Sequence, residues 1–284
     1  MNLDNTSLKV QKFYDTMPYE SYGVDFSVLF KSLRKDFGEI ESVFKNKKVL
    51  EVGCGAGHIS LYISKFAESV LGIDLSKKSI DFATEQSAKL GIKNATFIQA
   101  NLFDEEFIEK NREKFDYILC YGVLHHTADP YKGFQQLLKM LNKDGIVTIG
   151  LYSRTMIKYR LQRKLILFLS GDDWKKREKW SRKLFKNKRD VTLFDSFVNP
   201  QVSFHSIGEI YFWLQKNNLE YLGSWPPIEI SYYLEEIKSK LKINKTQNKF
   251  KSYNYNLFWF FVVEIIWTVL GKSIMVNLSA KKKF

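Results

Sequence analysis

The fold of this chain is decided by the stretch VLEVGCGAGHISLYIS (49–64). An apolar strand runs into a glycine-rich turn and then into a helix, and glycine is needed where a backbone turns sharply and approaches a ligand closely. A dinucleotide fingerprint, G-x-G-x-x-G, would place its third glycine at position 58, which is a histidine. The spacing is instead G-x-G-x-G, formed by Gly53, Gly55 and Gly57 and preceded by Glu51.

Short apolar runs alternate with longer segments of mixed polarity on both sides of this turn. Such alternation is typical of a parallel sheet with crossover helices. Helix starts are marked by Ser76, by Asp129 with Pro130, and by Ser206. The strands predicted from the pattern are KVLEV (48–52), SVLGID (69–74), ATFIQA (95–100), FDYILC (115–120), GIVTIGL (145–151), LEYLGSW (219–225) and SIMVNLSA (273–280). We therefore expect an α/β protein with a Rossmann-like, doubly wound sheet of seven strands.

A basic segment, residues 154–189, interrupts the alternation after the fifth strand. The chain has 44 Lys and Arg against 31 Asp and Glu, a net charge of +13, and this segment alone carries 14 basic and 3 acidic residues. Its apolar residues at positions 157, 161, 165 and 168 are spaced to share one face of a helix. We predict a helical insertion whose charge favours something anionic: a partner such as a nucleic acid, an acidic substrate, or a membrane surface. Such runs are, however, often only solvated.

The length of 284 residues fits one large domain with an insertion, or one domain with a small partner. The apolar run 257–271 contains Glu264 and is shorter than the roughly 20 residues that span a bilayer, so we predict a buried helix. Two cysteines and a polar N-terminus predict a cytoplasmic protein with free thiols, with peripheral membrane attachment as an alternative. The predicted parts are a helical lid segment (1–45), a core (46–153), the basic insertion (154–200) and the C-terminal part of the fold (201–284).

From about residue 47 to residue 151 the chain resembles the class I, seven-strand S-adenosylmethionine-dependent methyltransferases. The likeness rests on the glycine-rich turn, on Asp74 in GIDLS, on QANLF (99–103) and on FDYILCYGVLHHTADP (115–130). It implies S-adenosylmethionine as cofactor, with Asp74 accepting hydrogen bonds from two ribose hydroxyls and Asn101, where an aspartate is more usual, beside the adenine ring. The residues that it implies for cofactor binding are Glu51, Gly53, Cys54, Gly55, Gly57, Asp74, Leu75, Asn101, Leu102 and Tyr121.

A narrower likeness is to bacterial methyltransferase domains, some of them fused to tetratricopeptide repeats, although no such repeat is visible in this sequence. It rests on FYDTMPYESYG (13–23), GVLHHTADP (122–130) and GLYSR (150–154), and more loosely on 188–210 and 219–225. The second of these segments would lie over the methyl end of the cofactor. His126 and His125 are therefore candidate general bases, unless they only hold the loop in place.

Other residues are candidate contacts to the methyl acceptor. Each has an ordinary structural alternative, because tyrosines often belong to the core and a histidine near a helix start is often structural. These candidates are Tyr14, Tyr19, Tyr22, Arg154 and His205.

The expected reaction is in-line transfer of a methyl group from the sulfonium to a small-molecule acceptor, helped mainly by alignment of the two reactants. An RNA or protein methyltransferase is an alternative, because Trp174, Trp180 and Phe185 lie among the Lys and Arg of the insertion. A non-catalytic cofactor-binding or membrane-surface module is a third. No cluster of His, Cys and carboxylates has metal-ligand spacing, so no metal is expected, and Cys54 and Cys120 are expected to be buried thiols without chemistry.

Overall fold

The computed structural model describes residues 3–16, 40–185, 193–229, 232–233, 255–270 and 275–283. At its centre lie the strands β1 (Lys48–Val52), β2 (Ser69–Asp74), β3 (Ala95–Gln99), β4 (Phe115–Tyr121), β5 (Leu141–Tyr152), β6 (Leu219–Trp225) and β7 (Met275–Lys282). They form one sheet in the order β3-β2-β1-β4-β5-β7-β6. The prediction of a doubly wound α/β fold with seven strands is confirmed.

The direction of the strands determines where a ligand site can lie. Strands β1 to β5 pair in parallel, and β7 lies antiparallel between β5 and β6. The chain moves outwards from β1 to β3 and then returns across the sheet to place β4 on the other side of β1. Open α/β sheets bind ligands at such a reversal, in the crevice beyond the carboxyl ends of the strands.

Helices cover the sheet, and three of them begin where the sequence predicts. They are α1 (Asn5–Thr16), α2 (Ile40–Phe44), α3 (His58–Ile63), α4 (Lys77–Lys89), α5 (Glu105–Lys110), α6 (Pro130–Met140), α7 (Ile157–Ser170), α8 (Trp174–Leu184), α9 (Ile207–Lys216) and α10 (Leu257–Val269). The side chains of Ser76, Asp129 and Ser206 each accept a backbone hydrogen bond from the first turn of α4, α6 and α9. These three N-caps confirm the predicted helix starts, because a cap satisfies a backbone N–H that has no partner inside its helix.

The predicted helical insertion is present as α7 and α8, and a buried arginine attaches it to the rest of the fold. The guanidinium of Arg163 donates to the carbonyl oxygens of Ser196 and Asn199 at 3.1 and 2.9 Å. Ser196 lies in a short π-helical turn, Phe194–Val198, and Asn199 is the residue that follows it. Burial lowers the pKa of Arg163 to about 10, so the group remains charged at neutral pH. The insertion is therefore held in one orientation.

The prediction of a buried helix at 257–271 is wrong for one face of α10. Phe260, Val263 and Trp267 pack into the main core, whereas Leu257 and Phe258 are 82% and 74% exposed. The physical reason is that α10 packs on the sheet side only, and an apolar run without periodicity gives no information about which side is covered. No helix in the described ranges has both the length and the hydropathy needed to cross a bilayer.

Gly57 has a structural role that makes a prediction about stability. It adopts φ +77°, and a Cβ there would lie 2.8 Å from the side chains of both Ala83 and Phe97. Gly91 also has a positive φ, +65°, but has no neighbouring atom within 4 Å. Gly57→Ala is therefore expected to lower the free energy of unfolding by about 1–3 kcal/mol more than Gly91→Ala, which carries only the backbone cost. Urea unfolding of both variants measures the difference. An equal loss of unfolding free energy in the two variants would show that the Phe97 ring moves aside at no cost.

Candidate functional site

A cavity of about 560 Å³ lies at the carboxyl ends of β1, β2 and β4. Two groups of polar residues line it. One consists of the glycine-rich turn with Glu51 and Asp74, and the other, which we name the polar cluster, consists of Tyr14, His126, Tyr152 and Asp195. The volume lies within the range of small-molecule sites, which is roughly 300–1,000 Å³. The cavity therefore joins the predicted cofactor residues to a polar cluster assembled from distant parts of the chain.

Backbone hydrogen bonds fasten the glycine-rich turn to the neighbouring strand. The N–H groups of Gly53 and Cys54 donate to the carbonyl oxygen of Ile73 at 2.7 and 3.0 Å. Gly53 has φ +71°, and a Cβ at this position would lie 2.1 Å from Val123, in the loop after β4. There is thus no room for a side chain at Gly53, and the backbone of the turn lines the cavity.

Asp74 ends β2 and holds the same turn from the other side. Its Oδ2 accepts from the N–H of Gly55 at 3.0 Å, and its Oδ1 accepts from the N–H of Ser76 at 2.8 Å. The carboxylate is half-buried and lines the cavity. A carboxylate oxygen accepts more than one hydrogen bond, so this position is compatible with the contact to ribose hydroxyls that the sequence implies.

Glu51 is a buried carboxyl group at the end of β1, next to the cavity. Its Oε2 accepts hydrogen bonds from the backbone N–H and the hydroxyl of Ser60, in the first turn of α3. Burial raises the pKa of Glu51 to about 8, although the hydrogen bonds from Ser60 oppose the shift. The group is therefore protonated at neutral pH unless a cation lies beside it.

The remaining predicted cofactor residues surround the carboxyl ends of β2 and β3. Asn101 is buried, and its Oδ1 accepts from the N–H of Phe103 at 3.1 Å, so its side chain also stabilises the turn after β3. The carbonyl oxygen of Leu75 accepts from Gln99 Nε2 and from Gln11 Nε2, which connects α1 to this wall. The predicted residues that line the cavity are Glu51, Gly53, Cys54, Gly55, Asp74, Leu75, Asn101, Leu102 and Tyr121.

The polar cluster is centred on the carboxylate of Asp195. Its Oδ1 accepts from the hydroxyl of Tyr14 at 2.9 Å and lies 3.1 Å from Nε2 of His126, and its Oδ2 accepts from the hydroxyl of Tyr152. Nδ1 of His126 lies 2.6 Å from the carbonyl oxygen of Gln201. Because that oxygen can only accept, Nδ1 carries a proton. Nε2 faces the carboxylate of Asp195, so the two side chains form a close pair in which Asp195 is ionised.

The electrostatics of the cluster agree with this pair. Burial alone would raise the pKa of Asp195, but the charge of His126 and the hydrogen bonds from His126 and Tyr152 hold it well below its usual range. His125 is fully buried, and its ring stacks on Tyr152 at a centroid distance of 4.1 Å. Burial and the neighbouring charge of His126 lower the pKa of His125 well below its usual value. His125 is therefore a neutral packing residue in the wall behind the cluster.

The fold also creates a group that the sequence spacing did not reveal. Among the described residues, His125, His126 and Asp195 offer metal-ligating atoms that lie within 4.8 Å of one another. His126 and Asp195 already face protein partners through Gln201, Tyr14 and Tyr152. We therefore interpret the group as a hydrogen-bonding cluster rather than as a metal centre.

Several residues predicted for the site lie elsewhere. Gly57 packs against Phe97, outside the cavity lining. The two cysteines are buried, as predicted, and burial raises the pKa values of their thiols, although Cys54 also lines the cavity. His205 hydrogen-bonds to Ser203 and Glu209, and exposed Arg154 lies 3.7 Å from the same Glu209, so both stabilise the start of α9 outside the cavity lining. Tyr19 and Tyr22 lie outside the described residues.

The sequence analysis missed Asp195 and Tyr152, which complete the polar cluster. Tyr152 ends β5, and Asp195 lies in the Phe194–Val198 turn. Tyr152 falls inside GLYSR (150–154) and Asp195 inside the loosely similar stretch 188–210, but nothing in the sequence distinguished them from a core tyrosine and a surface aspartate. Asp195 reaches the cavity because Arg163 holds the Phe194–Val198 turn beside it, and this long-range contact cannot be read from the sequence.

Comparisons with known proteins agree with this architecture. A family model described as a methyltransferase domain matches residues 43–221. A ubiquinone biosynthesis O-methyltransferase of Actinobacillus pleuropneumoniae is 33% identical over 119 residues, which are 40% of this chain and 50% of that protein. An uncharacterized protein of Rickettsia prowazekii, RP789, is 37% identical over 118 residues, 39% of this chain and 20% of its own length. The chain thus matches half or less of these two relatives.

Among solved structures, PKMT2 of Rickettsia typhi in complex with AdoHcy resembles the chain with a TM-score of 0.59 and 18% identity. The match covers 86% of this chain and 51% of that one. At this level of identity the likeness concerns the fold alone.

Proposed function

The chain belongs to the methyltransferase-domain family, and its seven-strand sheet makes it a class I S-adenosylmethionine-dependent methyltransferase; from this premise we propose that it methylates a small molecule bound in the cavity. The observation that carries the proposal is that the glycine-rich turn and the polar cluster line the same cavity. A relative named as an O-methyltransferase of ubiquinone biosynthesis supports an acceptor that bears a hydroxyl group.

The residues around the glycine-rich turn fit S-adenosylmethionine, which supplies the methyl group on a sulfonium. Asp74 would accept from the ribose hydroxyls, and Asn101 and Leu102 would flank the base. Glu51 is a buried carboxyl group that ionises readily only next to a cation, and the ammonium group of the methionine part is such a cation. Gly53 and Gly55 have positive φ values, which favour glycine, and without a side chain their backbone can approach the ligand closely.

The polar cluster would act on the acceptor. The side chain of Asp195 is 22% exposed and lines the cavity, whereas that of His126 is only 4% exposed. In our proposal an acceptor hydroxyl would donate a hydrogen bond to the Asp195 carboxylate. As its oxygen bonds to the methyl carbon, the bond from that carbon to the sulfonium sulfur would break and S-adenosylhomocysteine would leave as a neutral thioether. The hydroxyl proton, made strongly acidic by the new bond, would pass to the carboxylate. His126, which the sequence suggested as the base, then serves to orient Asp195, and Tyr14 and Tyr152 fix the same carboxylate.

Transfer of a tritium-labelled methyl group from S-adenosylmethionine into fractions of cell extract tests the class of acceptor. We expect label in the low-molecular-weight filtrate, with no loss after digestion by nuclease or protease. Label in RNA or in protein would contradict the proposal and favour a macromolecular acceptor. The Asp195→Asn protein, assayed on the same fractions, measures how much label is transferred independently of the polar cluster.

Glu51 makes cofactor binding depend on pH. If the cation of the ligand ionises Glu51, binding below pH 8 releases a proton, because the pKa of this group is about 8 before binding. The dissociation constant for the cofactor should therefore fall as pH rises from 6 to 8, by up to about tenfold per pH unit, and level off above pH 8. Isothermal titration in buffers of different ionisation enthalpy counts the released proton.

Glu51→Gln is the matched control for this measurement, because it keeps the size of the side chain and cannot ionise. Its dissociation constant should be weaker and almost independent of pH between 6 and 8. Equal proton release by the wild type and Glu51→Gln would assign the proton to another group.

A further inference from the structure

The outer face of α7 carries a row of large apolar side chains, which we name the α7 stripe. It consists of Ile157, Leu161, Leu165 and Phe168, which are 49%, 61%, 47% and 86% exposed. At 3.6 residues per turn these positions fall within an arc of about 80°. The sequence spacing predicted a shared face, and the structure shows that this face points away from the fold.

The orientation of α7 is fixed by its opposite face. Arg163, Ile166 and Ser170 are buried there, and Arg163 donates to two carbonyl oxygens. A rotation that buried the stripe would take this guanidinium away from both acceptors. The exposure of four apolar side chains is therefore a stable property of the helix.

Lysines border the stripe on both sides. Lys158 and Lys164 are exposed, and the helical period places one at each edge of the apolar arc. Long lysine side chains at such positions keep the ammonium group in water while their methylenes cover apolar surface. An apolar face with cations at its edges is the pattern of a helix that lies in a membrane interface.

The next helix adds a cationic surface. The exposed residues of α8 include Lys175, Lys176, Lys179 and Lys183. Two tryptophans lie among them, and the ammonium group of Lys183 is 4.9 Å from the ring of Trp180. Arg177 does not take part, because it is buried and donates to Gly171 and Asp172.

We infer that α7 and α8 dock on an anionic lipid surface, with the α7 stripe entering the interface and the lysines facing the headgroups. Cations near an anionic leaflet each contribute to binding, and the buried apolar area adds to them. A nucleic acid would use the lysines and leave the four apolar side chains exposed, so it accounts for only half of the surface. The inference does not depend on the proposed activity.

Flotation with phosphatidylcholine vesicles, with and without phosphatidylglycerol, tests this inference on the full chain. We expect at least tenfold stronger binding to the anionic vesicles at low salt, and weaker binding at high salt. The stripe variant Leu161→Ser, Leu165→Ser, Phe168→Ser should lose at least tenfold at low salt, although all its lysines remain. The lysine variant Lys175→Ser, Lys176→Ser, Lys179→Ser, Lys183→Ser should lose its preference for anionic vesicles.

The exposed face of α10 provides the matched control, since it is apolar and has no exposed lysine among its described residues. Phe258→Ser with Phe261→Ser should bind as the wild type does. Loss of binding in that variant, unchanged binding by the stripe variant, or no binding by the wild type would each overturn the inference. If the wild type binds RNA but no vesicles, and the stripe variant binds RNA with unchanged affinity, a nucleic-acid surface would replace the lipid surface.

A single substitution guards against variants that fail to fold. Phe168→Trp preserves the stripe, and its added emission should shift to shorter wavelength with anionic vesicles and be quenched by brominated acyl chains. An emission that stays unchanged when the protein floats with vesicles would show that the stripe remains in water, and would overturn its insertion.

Discussion

Gly55→Val is expected to abolish binding of S-adenosylmethionine, with a dissociation constant at least 100-fold above that of the wild type. Gly55 adopts φ +50° and lines the cavity, and a β-branched side chain strongly disfavours that backbone conformation. Its N–H donates to Oδ2 of Asp74 at 3.0 Å. The substitution therefore displaces the turn, disturbs the carboxylate that would hold the ribose, and fills ligand space, all at one position.

Isothermal titration with S-adenosylmethionine and with NAD measures this effect. Gly91→Val is the matched control, because Gly91 also has a positive φ, +65°, but lies in open space away from the cavity lining. It should lose stability without losing affinity. Micromolar binding that persists in Gly55→Val, or a preference for NAD in the wild type, would contradict the assignment of this turn.

Asp74→Ala is expected to weaken cofactor binding by a smaller factor than Gly55→Val does. Hydrogen bonds to charged groups contribute about 1.5–3 kcal/mol, which corresponds to roughly 10- to 150-fold in the dissociation constant. The loss should be smaller than in Gly55→Val because no side chain enters the cavity. A loss of less than threefold would show that Asp74 holds only the turn.

The sheet could be predicted from the sequence because the central part of each strand is a short apolar or alternating run. The ends were less visible, since β5 begins at Leu141, four residues before the predicted run 145–151. Ser76, Asp129 and Ser206 cap helices as expected, since a cap is a local interaction that neighbouring residues determine. The cofactor half of the site was also visible, because the glycine-rich turn and Asp74 follow consecutive strands of a parallel sheet. Carboxyl ends of such strands meet at one edge.

The acceptor half could not be predicted, because it depends on contacts between segments that are far apart in sequence. Tyr14 belongs to the first helix, whereas Asp195 follows the insertion, and only the fold brings their side chains to 2.9 Å. The stripe of α7 shows the same limit at the surface. Its spacing predicted one apolar face, but a buried arginine on the opposite side decides that this face is exposed.

Asp195→Asn is expected to slow single-turnover methyl transfer about 100-fold, the lower end of what a positioned proton acceptor contributes. The amide nearly preserves the shape of the side chain and still accepts from Tyr14 or Tyr152, but it cannot take a proton. It also removes the negative charge that faces Nε2 of His126 at 3.1 Å. Affinity for S-adenosylmethionine should change less than threefold, because Asp195 is remote from Gly55 and Asp74 in the hydrogen-bond network.

Two further variants separate this chemical role from a structural one. Tyr14→Phe removes one donor to Asp195 and leaves the His126 pair intact, so its transfer rate should fall less than tenfold. Asp172→Asn makes the same chemical change at a fully exposed carboxylate outside the cavity lining and should leave the rate unchanged. If Asp195 had a structural role instead, Asp195→Asn would lower the melting temperature and the cofactor affinity together with the transfer rate. A transfer rate in Asp195→Asn within threefold of the wild type would mean that the cavity acts by alignment alone, since no other carboxylate lies in the polar cluster to replace Asp195.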